Sequence, residues 1–233
     1  SGTTVAGKSG QALSLTDGKG GVTADTTTWS ALNASHALTV SVWVNPQNFS
    51  ASSYQALFVM GQLLSGGNAN YSVSLTATAF GGGPGITFSD GTNTVGATAS
   101  SGLASNQWTL LTGVLNGTTA QLYVNGTLVN SGTNNAFTGL LNNSAKPTFG
   151  FDSSRGSLGF YGYIDDARVY NRALSSSEVS QLYAGSLAIG NAPTGPVVPI
   201  LRTLALGSTG SDVTTVQRVL KALAGASTST LGD

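Results

Sequence analysis

GFYGYIDDARVYNRALSSSEVSQLYAG, residues 159–185, changes its period halfway along. Phe160 to Tyr170 is rich in aromatic and β-branched residues and predicts a strand, because such side chains pack well on a pleated, half-buried surface. From Leu174 the pattern turns helical, with Leu174, Val179, Leu182 and Tyr183 recurring on one face. Ser175 stands as the N-cap, Glu178 three residues on as its capping-box partner, and Gly185 as the C-terminal stop. A strand followed by a short helix that closes the domain is therefore expected. The strand carries adjacent carboxylates, Asp165 and Asp166. Neighbours on a strand point to opposite faces, so at most one is expected inward, and a buried carboxylate must be paired or bound to a cation.

Upstream, Leu38 to Pro46 (LTVSVWVNP) places Leu38, Val40, Val42 and Val44 on one strand face, and Pro46, with no N–H for a ladder, marks its end. Gly10–Thr16, Gln55–Gln62, Tyr71–Thr76, Gly85–Ser89, Gln107–Leu115, Ala120–Val124 and Thr127–Val129 read as further strands between loops rich in turn residues. Asn116-Gly117 and Asn125-Gly126, each between apolar runs, predict hairpins, since both residue types tolerate positive φ. About a dozen short antiparallel strands with almost no helix predict an all-β, two-sheet sandwich.

The closing segment resembles that of the laminin-G-like, concanavalin A-type jelly-roll domains, which reads roughly G-x-I-D-[DE]-x-R-[IV]-Y-x-R-A-L-S-x-x-E-[IV]-x-x-L-Y. Gly162, Ile164, Asp165, Asp166, Arg168, Val169, Tyr170, Arg172, Ala173, Leu174, Ser175, Glu178, Val179, Leu182 and Tyr183 all match it. Leu15, Asp17 and Gly18, then Trp43 and Pro46, then Trp108 and Leu122 to Gly126, extend the resemblance over residues 8–185. It implies a jelly roll with a short helix after the last strand. It also implies a structural calcium ion held by Asp17 and Asp165, with carbonyls near Gly20 or Gly21, a donor set suited to a hard cation that takes several oxygens. The alternative for Asp165 is an ion pair with Arg168 or the capping of backbone amides. The fold leaves function open, because it carries lectins, adhesion modules, enzyme-attached domains and structural repeats.

After Gly185 the composition shifts. The expected organisation is a sandwich over 1–185, a Pro/Gly linker over 186–199, and a C-terminal amphipathic helix within 200–233. Val213, Val216, Val219, Leu220 and Leu223 form its apolar stripe. Leu206, Gly207, Ser208, Gly210, Val213, Val216, Gln217 and Leu220 resemble the first helix of peptidoglycan-binding domains, which have three helices where this chain has room for one. A single helix of that length is marginal in water, so the stripe is expected to dock on the sandwich, on another copy or on the cell wall.

Composition narrows the function classes. Only 8% of residues are charged and the formal net charge is zero, which leaves no basic patch for phosphate and so excludes nucleic acid as a partner. The chain has no cysteine, which removes disulfides, thiolate catalysis and Cys-zinc sites, and no apolar run long enough to span a membrane. Glycosidases of this fold type flank the scissile bond with two carboxylates, whereas the single glutamate, Glu178, is taken by a helix cap, and His36, the single histidine, has no triad pattern beside it. A non-catalytic protein follows. Tyr54, Phe80 and Tyr161, with Trp29 and Phe160, lie in or near loops as candidate sugar-stacking aromatics. Six Asn-x-Ser/Thr sequons, at Asn33, Asn48, Asn70, Asn116, Asn125 and Asn142, barely exceed chance in so Ser/Thr-rich a chain. A start at Ser1 suits a processed, secreted or cell-surface protein. The expected function is structural or adhesive, with self-assembly into homo-oligomers or filaments through the tail. The competing expectation is a calcium-dependent carbohydrate-binding module anchored to the cell wall, with glycans or peptidoglycan as partners.

Overall fold

The computed structural model describes residues 3–16, 21–23, 36–47, 54–63, 69–78, 82–141, 147–151 and 159–186. Its strands are β1 (Thr3–Ala6), β2 (Gln11–Ser14), β3 (Val22–Thr23), β4 (Ala37–Pro46), β5 (Gln55–Leu63), β6 (Ala69–Thr78), β7 (Gly85–Ser89), β8 (Thr94–Thr98), β9 (Thr109–Asn116), β10 (Thr119–Val124), β11 (Thr127–Thr133), β12 (Thr148–Phe149) and β13 (Gly162–Tyr170), followed by α1 (Ser176–Tyr183). They form a seven-stranded antiparallel sheet, β1-β2-β13-β4-β9-β10-β11, packed on a six-stranded one, β3-β12-β5-β6-β7-β8. The two-sheet jelly roll expected from the sequence is what forms. The short β1, β3, β8 and β12 are additions: TTVA, VT, TVGAT and TF are too short or too Gly-interrupted to show a period.

Between the sheets, Leu38, Val40, Val42 and Val44 of β4 are fully buried with Phe58, Met60, Leu75, Ile86 and Phe88 from the opposite sheet. Gly113 on β9 allows a close approach of the sheets, because a Cβ there would stand 2.5 Å from Ile86 Cγ1. The reverse face of the seven-stranded sheet carries a second apolar cluster: Trp43, Leu110, Val114 and Tyr123 from the strands, covered by Leu174, Val179 and Leu182. The helix is fixed there at both ends. Its capping box is complete, with Glu178 N donating to Ser175 Oγ at 3.3 Å and Ser175 N donating to Glu178 Oε2 at 2.9 Å. Ala184 takes the C-cap, and Gly185 follows it at φ 69°. Ser186 N donates to Gln181 O and Gly185 N to Leu182 O, the two bonds of a Schellman ending. The approach to the helix is tied by Thr39 Oγ1, which donates to Arg172 O at 2.8 Å and accepts from Leu174 N at 3.0 Å.

The hairpins divide. Asn125 (φ 51°) and Gly126 (φ 79°) both adopt the left-handed region between Val124 and Thr127, a type I′ turn. Asn116, by contrast, is the last residue of its strand, paired with Thr119, and only Gly117 of that pair has positive φ. At the far edge the sheets lock together. Asn130 Nδ2 donates to Thr98 O at 2.7 Å and Asn134 Nδ2 to Thr94 O at 2.8 Å, while Gly132 lies against Gly96 O. The outward carbonyls of edge strand β8 are thus capped by an Asn-x-Gly-x-Asn run.

Candidate functional site

The acidic motif is the first candidate. Strand alternation fails at Asp165-Asp166, because a bulge lies between Asp165 and Arg168 and Asp166 adopts φ 45°. Both carboxylates are consequently buried, Asp165 at 1% and Asp166 at 9% exposure, which corrects the expectation that at most one would be. They still do separate work. Asp165 Oδ2 accepts from Ser9 N at 2.8 Å and Oδ1 from Asp166 N at 2.8 Å, so its carboxylate anchors the β1–β2 turn. Gly7 makes room for it, since a Cβ there would stand 2.5 Å from Oδ2. Burial pushes the Asp165 carboxyl above its usual range, with the amides of Ser9 and Asp166 pulling against it and the charge of Asp166 adding to the rise. Asp166 instead receives Arg168 Nε at 2.7 Å. The same corner holds Trp43 between Lys8 Nζ, 4.7 Å from its ring centre, and the stacked ring of Tyr183 at 5.6 Å.

The remaining described carboxylates are engaged as well. Glu178 pairs with Arg172 at 2.7 Å besides capping α1. Burial pushes the Asp90 carboxyl up, but donors from Asn93, Thr138 and Thr92 outweigh it and hold the group well below the usual range. No group of three His, Cys, Asp or Glu side chains that could hold a metal occurs among the described residues. Of the expected calcium ligands, Asp17 lies outside the described residues, and Asp165 is satisfied by amides without a cation. Burial of Asp165 is therefore no argument for calcium.

The second candidate is the outer face of the six-stranded sheet. On β6 the core takes Val73, Leu75 and Ala77, so the alternate Ser74, Thr76 and Thr78 belong to the other face. On β7, β8 and β12 the same parity selects Thr87, Gly96 and Thr148. Register lines these up across the sheet. One row runs Thr148, Val59, Ser74, Thr87, Gly96 and the next Ala56, Thr76, Gly85, Thr98. Every residue in the two rows is small or β-branched; Thr148, Val59, Ser74, Ala56, Thr76 and Gly85 are buried, and Thr87, Gly96 and Thr98 are the partly exposed end of the rows. Half-buried Tyr54 packs on Ala56 and Val59 and its hydroxyl meets Ser74 Oγ at 2.6 Å. Gln55, paired in register with Thr78, is 5% exposed, and its Oε1 is buried with no hydrogen-bond partner.

The predicted aromatics separate. Tyr54 packs at the β5 end of these rows, and Tyr161 is exposed beside the seven-stranded sheet, where its carbonyl accepts from Gln47 N. Phe160 is fully buried in the core and is no surface platform. Phe80 and Trp29 lie outside the described residues, as does the tail with Val213, Val216, Val219, Leu220 and Leu223 and its peptidoglycan-binding resemblance. Gln55 and the hydroxyl rows escaped the sequence reading. Their signal was the SVSLTAT alternation of residues 72–78, with hydroxyls opposite the apolar positions.

Comparison with known proteins supports the fold. No curated protein matches the chain. Domain 4 of AbnA, a GH43 extracellular arabinanase from Geobacillus stearothermophilus solved with arabinotriose, is similar at TM-score 0.63 and 24% identity, over 78% of this chain and 81% of that one. The CBM40 of the Ruminococcus gnavus IT-sialidase, bound to α2,3-sialyllactose, is similar at TM-score 0.56 and 16% identity, over 78% and 96%. The binding domain of Paraclostridial Mosquitocidal Protein 1 reaches TM-score 0.58 at 20% identity, over 79% of this chain and 45% of that one. The Laminin G 3 family, described as the concanavalin A-like lectin/glucanases superfamily, matches residues 16–180. With that match covering well over half of its length, the chain belongs to the concanavalin A-like lectin/glucanase superfamily.

Proposed function

We propose that this protein is a non-catalytic glycan-binding domain that works outside the cell. The carrying observation is the contrast between its two candidate sites. Every described carboxylate is engaged in a turn, a bulge or a helix cap, so no pair among the described residues is left to act as acid and base. The outer face of the six-stranded sheet, in contrast, presents the partly exposed Thr87 and Thr98 hydroxyls and, just before β5, the half-buried Tyr54 ring, the mixture of polar groups and aromatic surface that sugars require. Sugar ligands in two structures of similar fold, arabinotriose and sialyllactose, support the reading. No described helix is long and apolar enough to cross a membrane. A glycan array probed with the purified chain tests the proposal. Retention on at least one glycan, weakened by Tyr54→Ala, is the expected result, and retention on none overturns it.

Two further elements belong to the proposal. A calcium ion at Asp17 and Asp165 would fix the first turn against the last strand. The amides on Asp165 occupy one lone pair on each oxygen, and carboxylate oxygens have a second to give. Self-assembly through the tail is a second reading. Leu128, Val129 and Tyr183 favour it, being exposed apolar side chains on uncharged β11 and at the end of α1, from which the tail departs.

A further inference from the structure

Helix α1 does not cover the whole apolar cluster on the outer face of the seven-stranded sheet. Tyr123, 2% exposed, lies in that cluster, and its register partner across β10 and β11 is Leu128. Residues directly opposite on an antiparallel pair share a face, so Leu128 continues the cluster past the helix. It is nevertheless 45% exposed, and Val129, the residue skipped at the register shift, is 44% exposed beside it. Tyr183, in the last turn of α1 and 43% exposed, borders the patch from the helix side. Helix and strand are tied together there. Ser180 Oγ donates to Gly126 O at 3.2 Å, and a Cβ on Gly126 would stand 3.0 Å from Tyr183 Cβ. Single apolar side chains scattered over a surface are ordinary, whereas a group that extends a buried cluster marks a surface built to be covered.

We propose that the cover is this chain's own C-terminal segment, with the helix predicted from Val213, Val216, Val219, Leu220 and Leu223 seated beside α1 on Leu128, Val129 and Tyr183. The described chain ends at this spot, since Ser186 N donates to Gln181 O and so stays within a turn of Tyr183. Residues 187–212, with Gly190, Pro193, Gly195, Pro196 and Pro199 among them, have the composition of a tether. A flexible chain of that length has ends roughly 25–30 Å apart, while a helix packed next to α1 sits only about 10 Å from it. Such a tether sets an effective concentration in the millimolar range, so at about micromolar protein the seat fills within a chain before it fills between chains. The five apolar positions share one helix face, and a helix of that length is marginal in water until such a stripe is buried. This inference is independent of the glycan-binding reading, and it competes with assembly through the tail for the same apolar side chains.

Hydrogen exchange of the full chain at micromolar concentration, read by mass spectrometry beside sedimentation, tests the seat. The amides of residues 213–223 should exchange at least about tenfold more slowly than coil in a monomer. Leu128→Asp should return them to the coil rate while β4 and β9 keep their protection. Leu220→Asp makes the same test from the tail, outside both sheets. It should release the segment and raise the binding of a hydrophobic dye, as Leu128, Val129 and Tyr183 lose their cover. Coil-rate exchange over 213–223 in the unaltered chain overturns the proposal, and so does protection that survives both substitutions. Protection that fades on dilution together with multimers overturns the seat within the chain and leaves assembly through the tail in its place.

Discussion

At the scale of single residues, the carboxylates do opposite work with respect to pH. Glu178 is held down to about 2, chiefly by the Arg172 guanidinium and, against some burial, by the amide and hydroxyl of Ser175. A carboxyl lowered on folding stabilises the protein above its ordinary value of 4.5, and that contribution is lost as pH falls from there towards 2. Glu178→Ala should therefore cost about 1–2 kcal/mol at neutral pH, as expected for losing a helix cap, and almost nothing at the acid end of that window. Denaturant melts at both pH values check the difference. Asp165 has the reverse sign. Its carboxyl is raised, so the folded state binds the proton more tightly, and this group's contribution to stability falls as pH rises through the window above the ordinary carboxylate value. What offsets that cost at neutral pH is either its amide donors alone or those donors plus calcium. Chelation should lower the melting temperature, and Asp165→Ala should erase the difference between calcium and chelator. A melting curve indifferent to chelator leaves the amides of Ser9 and Asp166 as sufficient.

At the scale of elements, β8 and β11 show how the sandwich closes an exposed edge. β8 leaves the carbonyls of Thr94, Gly96 and Thr98 pointing away from its sheet, and an unguarded row of that kind is a template for another chain. The guard is a pair of amides, Asn130 and Asn134, with Gly132 between them small enough to let β11 approach Gly96. Replacing both asparagines by alanine should cost about 1 kcal/mol for each lost hydrogen bond and free the β8 edge. The expected readout is a lower denaturation midpoint together with concentration-dependent oligomers in sedimentation. An unaltered midpoint and a monodisperse monomer would show that the edge needs no guard. Helix α1 is secured differently. Local signals hold its ends, and the apolar triad Leu174, Val179 and Leu182 holds its face, each side chain contributing on the order of 1.5–3 kcal/mol when fully buried.

At the scale of the whole molecule, stability rests on how closely the sheets approach at Gly113. Gly113→Ala puts a methyl into Ile86 at a distance no relaxed contact tolerates, so an overpacking loss of about 1–3 kcal/mol is expected from thermal or urea unfolding. The paired change Gly113→Ala with Ile86→Val should recover part of it, because valine lacks Cδ1, one of the three Ile86 carbons in the clash. The tail is a separate question of association. Deleting residues 187–233 removes nothing from either described sheet or from α1, so the melting transition of the sandwich should persist. If the tail drives assembly, light scattering should report multimers for the full chain and a monomer for the truncated one. Multimers of equal size in both would instead point to the exposed Leu128, Val129 and Tyr183.

The sequence by itself determined what depends on local chemistry. Alternation placed the four inward residues of β4, and the Ser175–Glu178 pair set the start of α1. Asn125-Gly126 set a type I′ turn, because each of these signals is written within a few neighbouring residues. It also showed that Asp165 needed a partner. Only the tertiary structure decided which one, since Ser9 is distant in the chain and becomes a neighbour through the pairing of β2 with β13. The bulge that buries both aspartates is likewise a property of how β13 meets β4, and a two-residue period read along one strand carries no trace of it. The outer face of the six-stranded sheet is the extreme case. Thr148 is far in sequence from Ser74 and Thr87, and each alone is an ordinary hydroxyl. Strand order and register turn them into one row on one face of the sheet, because long-range pairing, unlike a cap or a turn, is decided by the packing of the whole sheet.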